Sequence, residues 1–197
     1  MSESGNAPLA LTIVVFGASR SGKTTLLRGI HDRLGAGKDD ADSPREQHAM
    51  PLDWVSLDLG TIGGRAASVL LYAVPGVVAF DATRRVLVHG ADGVIFVADS
   101  QATRLDDNVA ARNALGDHLA ARGDDPADPL PVAFFYSKRD LPAELLVAPA
   151  VLDQALGVGA APRMTGDAVR GEGVREVLQA VLTLLLRRAS GRGAGDA

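Results

Sequence analysis

An apolar run, Leu9–Phe16, leads straight into Gly17-Ala18-Ser19-Arg20-Ser21-Gly22-Lys23-Thr24, and a helical pattern follows. The octapeptide satisfies G-x-x-x-x-G-K-[ST], the phosphate-binding P-loop, in the strand–loop–helix context that the motif needs. Its glycines let the backbone fold into a nest of N–H donors, and the helix that begins there adds the positive end of its dipole. Gly17, Ser19, Arg20, Ser21, Gly22, Lys23, Thr24 and Thr25 are therefore expected to hold phosphates. Lys23 would reach the β and γ groups, and the Thr24 hydroxyl would ligate Mg²⁺. With Gly at roughly 7% of residues, the pattern arises by chance in about 1% of chains this long. The phosphate reading is preferred to an accidental Gly-rich turn.

That feature predicts an α/β chain, and the rest of the pattern agrees. The 197 residues fit one domain, and 47% hydrophobic with 22% charged residues is a globular composition. Cysteine is absent, which excludes disulfide frameworks, thiol nucleophiles and Cys-based zinc sites, and with them prenyl or palmitoyl membrane anchors. The start shows neither a secretory signal pattern nor Met-Gly, and a formal charge of −4 offers no global basic surface for nucleic acid. A cytoplasmic chain with no membrane anchor is expected. Of the 20 basic residues only Lys23, Lys38 and Lys138 are lysines. A lysine kept against such an arginine bias marks a place where a compact point charge is needed.

Short apolar runs alternate with helical ones, which argues for βα units and a mostly parallel, doubly wound sheet. A helix is expected over Lys23–Leu34, strands over Asp53–Leu59 and Ala67–Val74 around a hairpin at Gly60–Gly64, and strands at Val94–Ala98 and Val132–Tyr136. The hairpin supplies one antiparallel edge pair. Leu105–Arg122 reads as a helix, and Val174, Val177, Leu178, Val181, Leu182 and Leu185 mark one buried face of another. Residues 35–51 form a polar segment without periodicity, long enough to suggest a functional loop or disorder. The domain is expected over residues 9–188, with flexible ends at 1–8 and 189–197.

Ser137-Lys138-Arg139-Asp140 follows the strand Val132–Tyr136 and resembles the guanine-specificity motif N-K-x-D. A carboxylate at Asp140 accepts from both guanine N1–H and N2–H₂, which adenine cannot offer, and the Lys138 stem lies over the base. Ser137 stands where Asn is usual, so its tether is expected to be weaker. Asp167-Ala168-Val169 stands where small GTPases carry a S-A-K-like loop, a resemblance that implies base contacts at Ala168 and Val169, with a plain loop before the last helix as the alternative. Val74-Pro75-Gly76 ends the third strand and resembles the D-x-x-G turn of switch GTPases, which implies a Gly76 N–H offered to a γ-phosphate. In that resemblance Ala73 occupies the place of the Asp that holds Mg²⁺ through water. Asp58 and Asp99 end neighbouring strands and are candidates to compensate, although strand capping is the preferred reading for Asp99.

The segments LDLG (Leu57–Gly60), AVPG (Ala73–Gly76), FDATRRVLVHGADGVIFVADSQ (Phe80–Gln101) and SKRDLP (Ser137–Pro142) resemble the bacterial MglA gliding-motility GTPases, in the same order, from about Ile13 to Leu186. The resemblance implies a Ras-like P-loop GTPase fold, GTP or GDP with Mg²⁺, and a polarity or motility switch in the cytoplasm. It also implies a homodimeric Roadblock-domain regulator. Three positions depart from that family's hydrolytic pattern. Val77 stands for its glutamine, Ala49 for its switch threonine and His48 for its cis arginine. No catalytic residue is assigned, and slow or impaired hydrolysis is expected. The alternatives are a nucleotide-bound scaffold that does not cycle and a different P-loop NTPase.

Overall fold

The structure, a computed structural model, describes residues 8–35, 53–76 and 81–193, with side chains as far as Ala189. Six strands form one sheet: β1 (Leu9–Phe16), β2 (Asp53–Ile62), β3 (Arg65–Ala73), β4 (Gly93–Asp99), β5 (Val132–Ser137) and β6 (Arg163–Thr165). Their order is β2-β3-β1-β4-β5-β6. Every neighbouring pair is parallel except β2–β3, the antiparallel pair at one edge. The expected α/β architecture is the observed one.

Helices α1 (Lys23–Leu34) and α5 (Val174–Gly193) cover one face, and α2 (Asp81–His89), α3 (Leu105–Arg122) and α4 (Pro149–Leu156) cover the other. Strands buried on both faces read as continuous apolar runs, and all seven residues of β4 are buried. Leu26, Leu27 and Ile30 of α1 pack with Val174, Val177, Leu178, Val181 and Leu185 of α5 on β1, β3 and β4. Truncating any of these large aliphatic side chains to Ala is expected to cost about 2–5 kcal/mol. The opposite core is aromatic, with Phe16, Phe96, Phe134 and Tyr136 under α3 and α4.

The chain leaves β1 toward β3 on one side and reaches β4 on the other, so the sheet order reverses between β1 and β4. Open α/β sheets bind ligands beyond the carboxyl ends of strands at such a switch point. Both candidate loops, after β1 and after β5, emerge at that end.

Three elements differ from the sequence expectation. Both hairpin strands run further, to Ile62 and from Arg65, so the turn narrows to Gly63-Gly64, and a bulge falls between Asp58 and Gly60. The last helix continues to Gly193, so residues 189–193 extend it and do not begin a tail. Helices α2 and α4 and strand β6, of nine, eight and three residues, are additions; each is too short to carry a legible period.

Candidate nucleotide-binding site

Gly17 leaves β1 with φ 148°, and a Cβ there would collide with the Val97 carbonyl oxygen of β4. The loop therefore lies directly on the neighbouring strand, which only glycine permits. Gly22 enters α1 from a left-handed conformation at φ 103°, with neither a side-chain cap nor an acidic residue in the first turn. The first-turn amides of α1 thus lack the usual side-chain acceptor, the condition under which a helix N-terminus takes an anion. Thr24 and Thr25 are half-buried in this turn, whereas Ser19 and Arg20 are exposed and Ser21 is fully buried.

Lys23 is buried inside the loop, its ammonium donating to the Gly17 carbonyl at 3.1 Å and the Ala18 carbonyl at 2.6 Å. Burial, and secondarily the positive charge of Arg84, lower its pKa from 10.5 to about 8. Arg84 of α2 is itself buried, lies 5.3 Å over the Phe16 ring and donates to the Pro75 carbonyl at 3.3 Å. Pro75 precedes Gly76, and a Cβ on Gly76 would strike the Ser19 backbone. The structure thus presses the Val74–Gly76 turn against the phosphate loop.

On the other side, β5 delivers Ser137 with its hydroxyl 2.6 Å from the Ser21 carbonyl and 3.0 Å from the Ala98 carbonyl. The expectation of a weaker tether needs adjustment. The short side chain does reach the phosphate loop, because Gly22 leaves room and only 3.6 Å separates its Cβ position from Ser137. Lys138 follows at φ 62°, and Arg20 of the phosphate loop at φ 61°; among the described residues these are the only non-glycine residues at positive φ. Such strain persists only where surroundings over-determine it, and it concentrates at functional sites.

Asp140 is exposed two residues beyond Lys138. The third loop abuts this one through Arg139 N–H to the Gly166 carbonyl at 3.2 Å. There Ala168 is buried, and Val169, 76% exposed, donates its N–H to the Asp167 carboxylate at 2.8 Å. The two loops that were expected to recognise a base are brought together beside the phosphate loop.

The acid at the Thr24 end is not one of those weighed. Asp58 is exposed at the bulge and accepts from its own Gly60 N–H at 2.8 Å. It lies five residues along β2 from Asp53, roughly 16 Å at strand rise, and so apart from the Thr24 hydroxyl that Asp53 meets. Asp53 is the acid beside Thr24: its carboxylate accepts from the Thr24 hydroxyl at 2.6 Å, and it pairs across the hairpin with Ala73. A hydroxyl and a carboxylate side by side are hard oxygen donors that fit Mg²⁺, which typically takes one or two protein carboxylates and fills its shell with water and phosphate. Among the described residues no group of three or more His, Cys, Asp or Glu side chains is placed to hold a metal ion.

Asp99 caps the end of β4, accepting the Gln101 N–H at 3.1 Å, and does more than that. It is fully buried and binds Lys138 Nζ at 2.6 Å. Its signal in the sequence was a carboxylate ending an otherwise apolar strand in register with Ser137. Val77, Ala49 and His48 lie outside the described residues. No helix among the described residues is long and apolar enough to cross a membrane.

Together the sheet order and the loop between β1 and α1 define a P-loop protein with the Ras-like α/β fold. The chain is 37% identical over 177 residues to the mutual gliding-motility protein MglA of Myxococcus xanthus (strain DK1622), a match covering 88% of this chain and 89% of that protein. No protein-family model matches. The chain belongs to the MglA-type gliding-motility small GTPase family.

Proposed function

We propose that this chain is a cytoplasmic guanine-nucleotide switch acting in cell polarity and motility, with slow GTP hydrolysis. The observation that carries the nucleotide reading is the joining of two strained loops at the switch point. Arg20 and Lys138 hold positive φ in the loops after β1 and β5, and Ser137 bonds one loop to the other. In this reading the phosphates occupy the nest around Lys23, guanine lies between Lys138 and Val169, and Asp140 reads its N1–H and N2–H₂. Membership of a small GTPase family displaces the reading as a P-loop kinase or ATPase.

Thr24 and Asp53 are the groups that would hold Mg²⁺, with Asp53 acting through water across from Ala73. When bound, the ion offsets negative charge on the phosphate oxygens. The residues of this chain fix where those oxygens lie: Lys23 from inside the loop, the α1 amides from below, and the Gly76 N–H from the β3 side.

Slow hydrolysis rests on sequence. Glutamine orients the attacking water in GTPases of this type, and arginine stabilises charge on the transferred group, worth on the order of 10³–10⁵ in rate. Val77, Ala49 and His48 supply neither a water-orienting amide nor a permanent cation. The expected intrinsic rate is about 10⁻⁴ s⁻¹ or below. Val77→Gln should raise it, and a wild-type rate near about 0.1 s⁻¹ would overturn this part. The regulator proposed is a homodimeric Roadblock-domain protein. If its affinity is the same for the GDP and GTP forms, the chain is a scaffold and not a switch.

Mass spectrometry of nucleotide released from the purified chain, with affinities for GDP, GTP and ATP, tests the core of the reading. Retained GDP or GTP is expected. ATP bound as tightly as GTP would sink the guanine assignment.

A further inference from the structure

Asp99 is a point where two cations meet, each reaching a different half of the site. Its carboxylate has no exposure to solvent. One oxygen lies 2.6 Å from Lys138 Nζ, 3.2 Å from Gln101 Nε2 and 3.9 Å from Arg104 Nε. The other accepts from the Gln101 backbone N–H and Nε2, both at 3.1 Å. Asn108 grips the Asp99 backbone from α3, accepting its N–H at 3.0 Å and donating to its carbonyl at 2.8 Å. A buried carboxylate is tolerated only when paired and fully hydrogen-bonded, and here every partner of the side chain is a donor.

Arg104 extends this network to the phosphate side. While its Nε faces Asp99, its Nη2 donates to the Ser19 carbonyl in the phosphate loop at 2.7 Å, and Asp107 holds its other nitrogen. Ser137 braces the phosphate loop at Ser21. Arg104 braces it two residues earlier, at Ser19. One rigid strand end therefore positions the lysine after β5 and anchors the loop after β1.

We propose that Asp99 is a positioning residue that couples base recognition to phosphate binding. It sets Lys138 for the base and, through Arg104, makes the shape of the phosphate loop depend on that setting. This deepens the guanine reading and rests on it. Contacts that share one buried partner are not additive, and the departure from additivity measures the coupling.

The test compares affinities for GDP and ADP in the wild type, Asp99→Asn, Arg104→Ala, Lys138→Ala and the Arg104→Ala/Lys138→Ala double variant, by competition with a fluorescent nucleotide. A wild type that prefers GDP supports the guanine reading; one that does not overturns that reading and this inference with it. Given that preference, Asp99→Asn should lower the GDP-to-ADP affinity ratio by about tenfold or more. Arg104→Ala should lower it by about threefold although Arg104 contacts Ser19 and not the base, and it should have no further effect once Lys138 is removed. A merely structural Arg104 would weaken GDP and ADP equally. Equal weakening, or an Arg104 effect that persists in the Lys138→Ala background, overturns the proposal. Should Asp99→Asn fail to fold, the Arg104–Lys138 cycle decides alone, because both side chains are about one-third exposed, at 29% and 32%.

Discussion

The two flanks of the site are built differently. On the base side, Asp99, Ser137 and Tyr136 lie on or beside central strands and are almost wholly buried, so their geometry is set by the core. On the metal side, Asp53 is exposed on the edge strand β2, and its carboxylate accepts from the Thr24 hydroxyl of α1. The residues that support the proposed base loops are embedded in the core, whereas Asp53, at the proposed metal end, sits at the rim. Substitutions at the buried supports Asp99, Ser137 and Tyr136 should therefore change stability and specificity together. Those on the rim should change function with little effect on stability. The same division separates what the chain keeps from what it has replaced, since Val77, Ala49 and His48 all belong to the terminal-phosphate side of the family pattern.

The largest expected effect would break the comparison at its centre. Lys23 lies between the two flanks and is buried although charged. Lys23→Ala should weaken GDP and GTP binding by about 10³-fold, roughly 4 kcal/mol. The nucleotide-free protein should lose no stability, because the variant removes a desolvated cation. Unchanged nucleotide affinity would count against the P-loop reading altogether. A matching fall in melting temperature would show that Lys23 is structural.

Asp140→Asn sharpens the base side. An amide offers one acceptor and one donor where the carboxylate offers two acceptors, so preference should move from guanine toward xanthine. The expected change in the GTP-to-XTP affinity ratio is roughly 10²-fold, about 2.7 kcal/mol. Asp140 is exposed, so the melting temperature should hold. No movement in either affinity would mean that Asp140 does not face the base.

How much of this could be read from the sequence follows the same division. The loop around Lys23 and the lysine at 138 were legible because glycine spacing and the apolar strands before them are local signals. The helix at Leu105–Arg122 was equally legible, since its length and C-terminal Gly123 are local too. Asp53 was not, and the reason is register. A hairpin that turns at Gly63-Gly64 pairs Ile62 with Arg65 and Gly60 with Ala67, and continued evenly it would set Trp54 opposite Ala73. The bulge between Asp58 and Gly60 shifts the count by one, so that Asp53 faces Ala73. A shift of one residue exchanges the two faces of a strand, and nothing in the local sequence announces it. Asp99 was visible but undervalued, because its partner Lys138 lies 39 residues away and only the β4–β5 pairing brings them together.

A smaller effect probes the charge at the centre without a nucleotide. The Lys23 pKa in the folded chain is about 8, below its ordinary 10.5, so between these values the unfolded chain binds more protons. Stability of the nucleotide-free protein should therefore rise with pH through this window, and be lost again as pH falls toward 8. The full shift sets an upper bound of about 3 kcal/mol, and about 2 kcal/mol is expected after relaxation. Urea melts at several pH values would show it, and the slope should vanish in Lys23→Ala. A slope that survives there belongs to another group.

The smallest expected effect tests the rim, and separates two neighbouring acids. If Asp53 takes the place that Ala73 leaves empty of charge, Asp53→Asn should raise the Mg²⁺ concentration needed to retain nucleotide by about tenfold, or 1.4 kcal/mol. Its bond to Thr24 is exposed, and an exposed contact of this kind contributes no more than about 1 kcal/mol to stability, so the melting temperature should scarcely move. Asp58→Asn is the paired control: its carboxylate serves its own Gly60 N–H, and the Mg²⁺ requirement should stay at the wild-type value. Equal shifts in the two variants would indicate a general loss of negative charge on β2. A shift in Asp58→Asn alone would return the metal role to the residue that first drew attention, and would mean that β2 adopts another register when nucleotide binds.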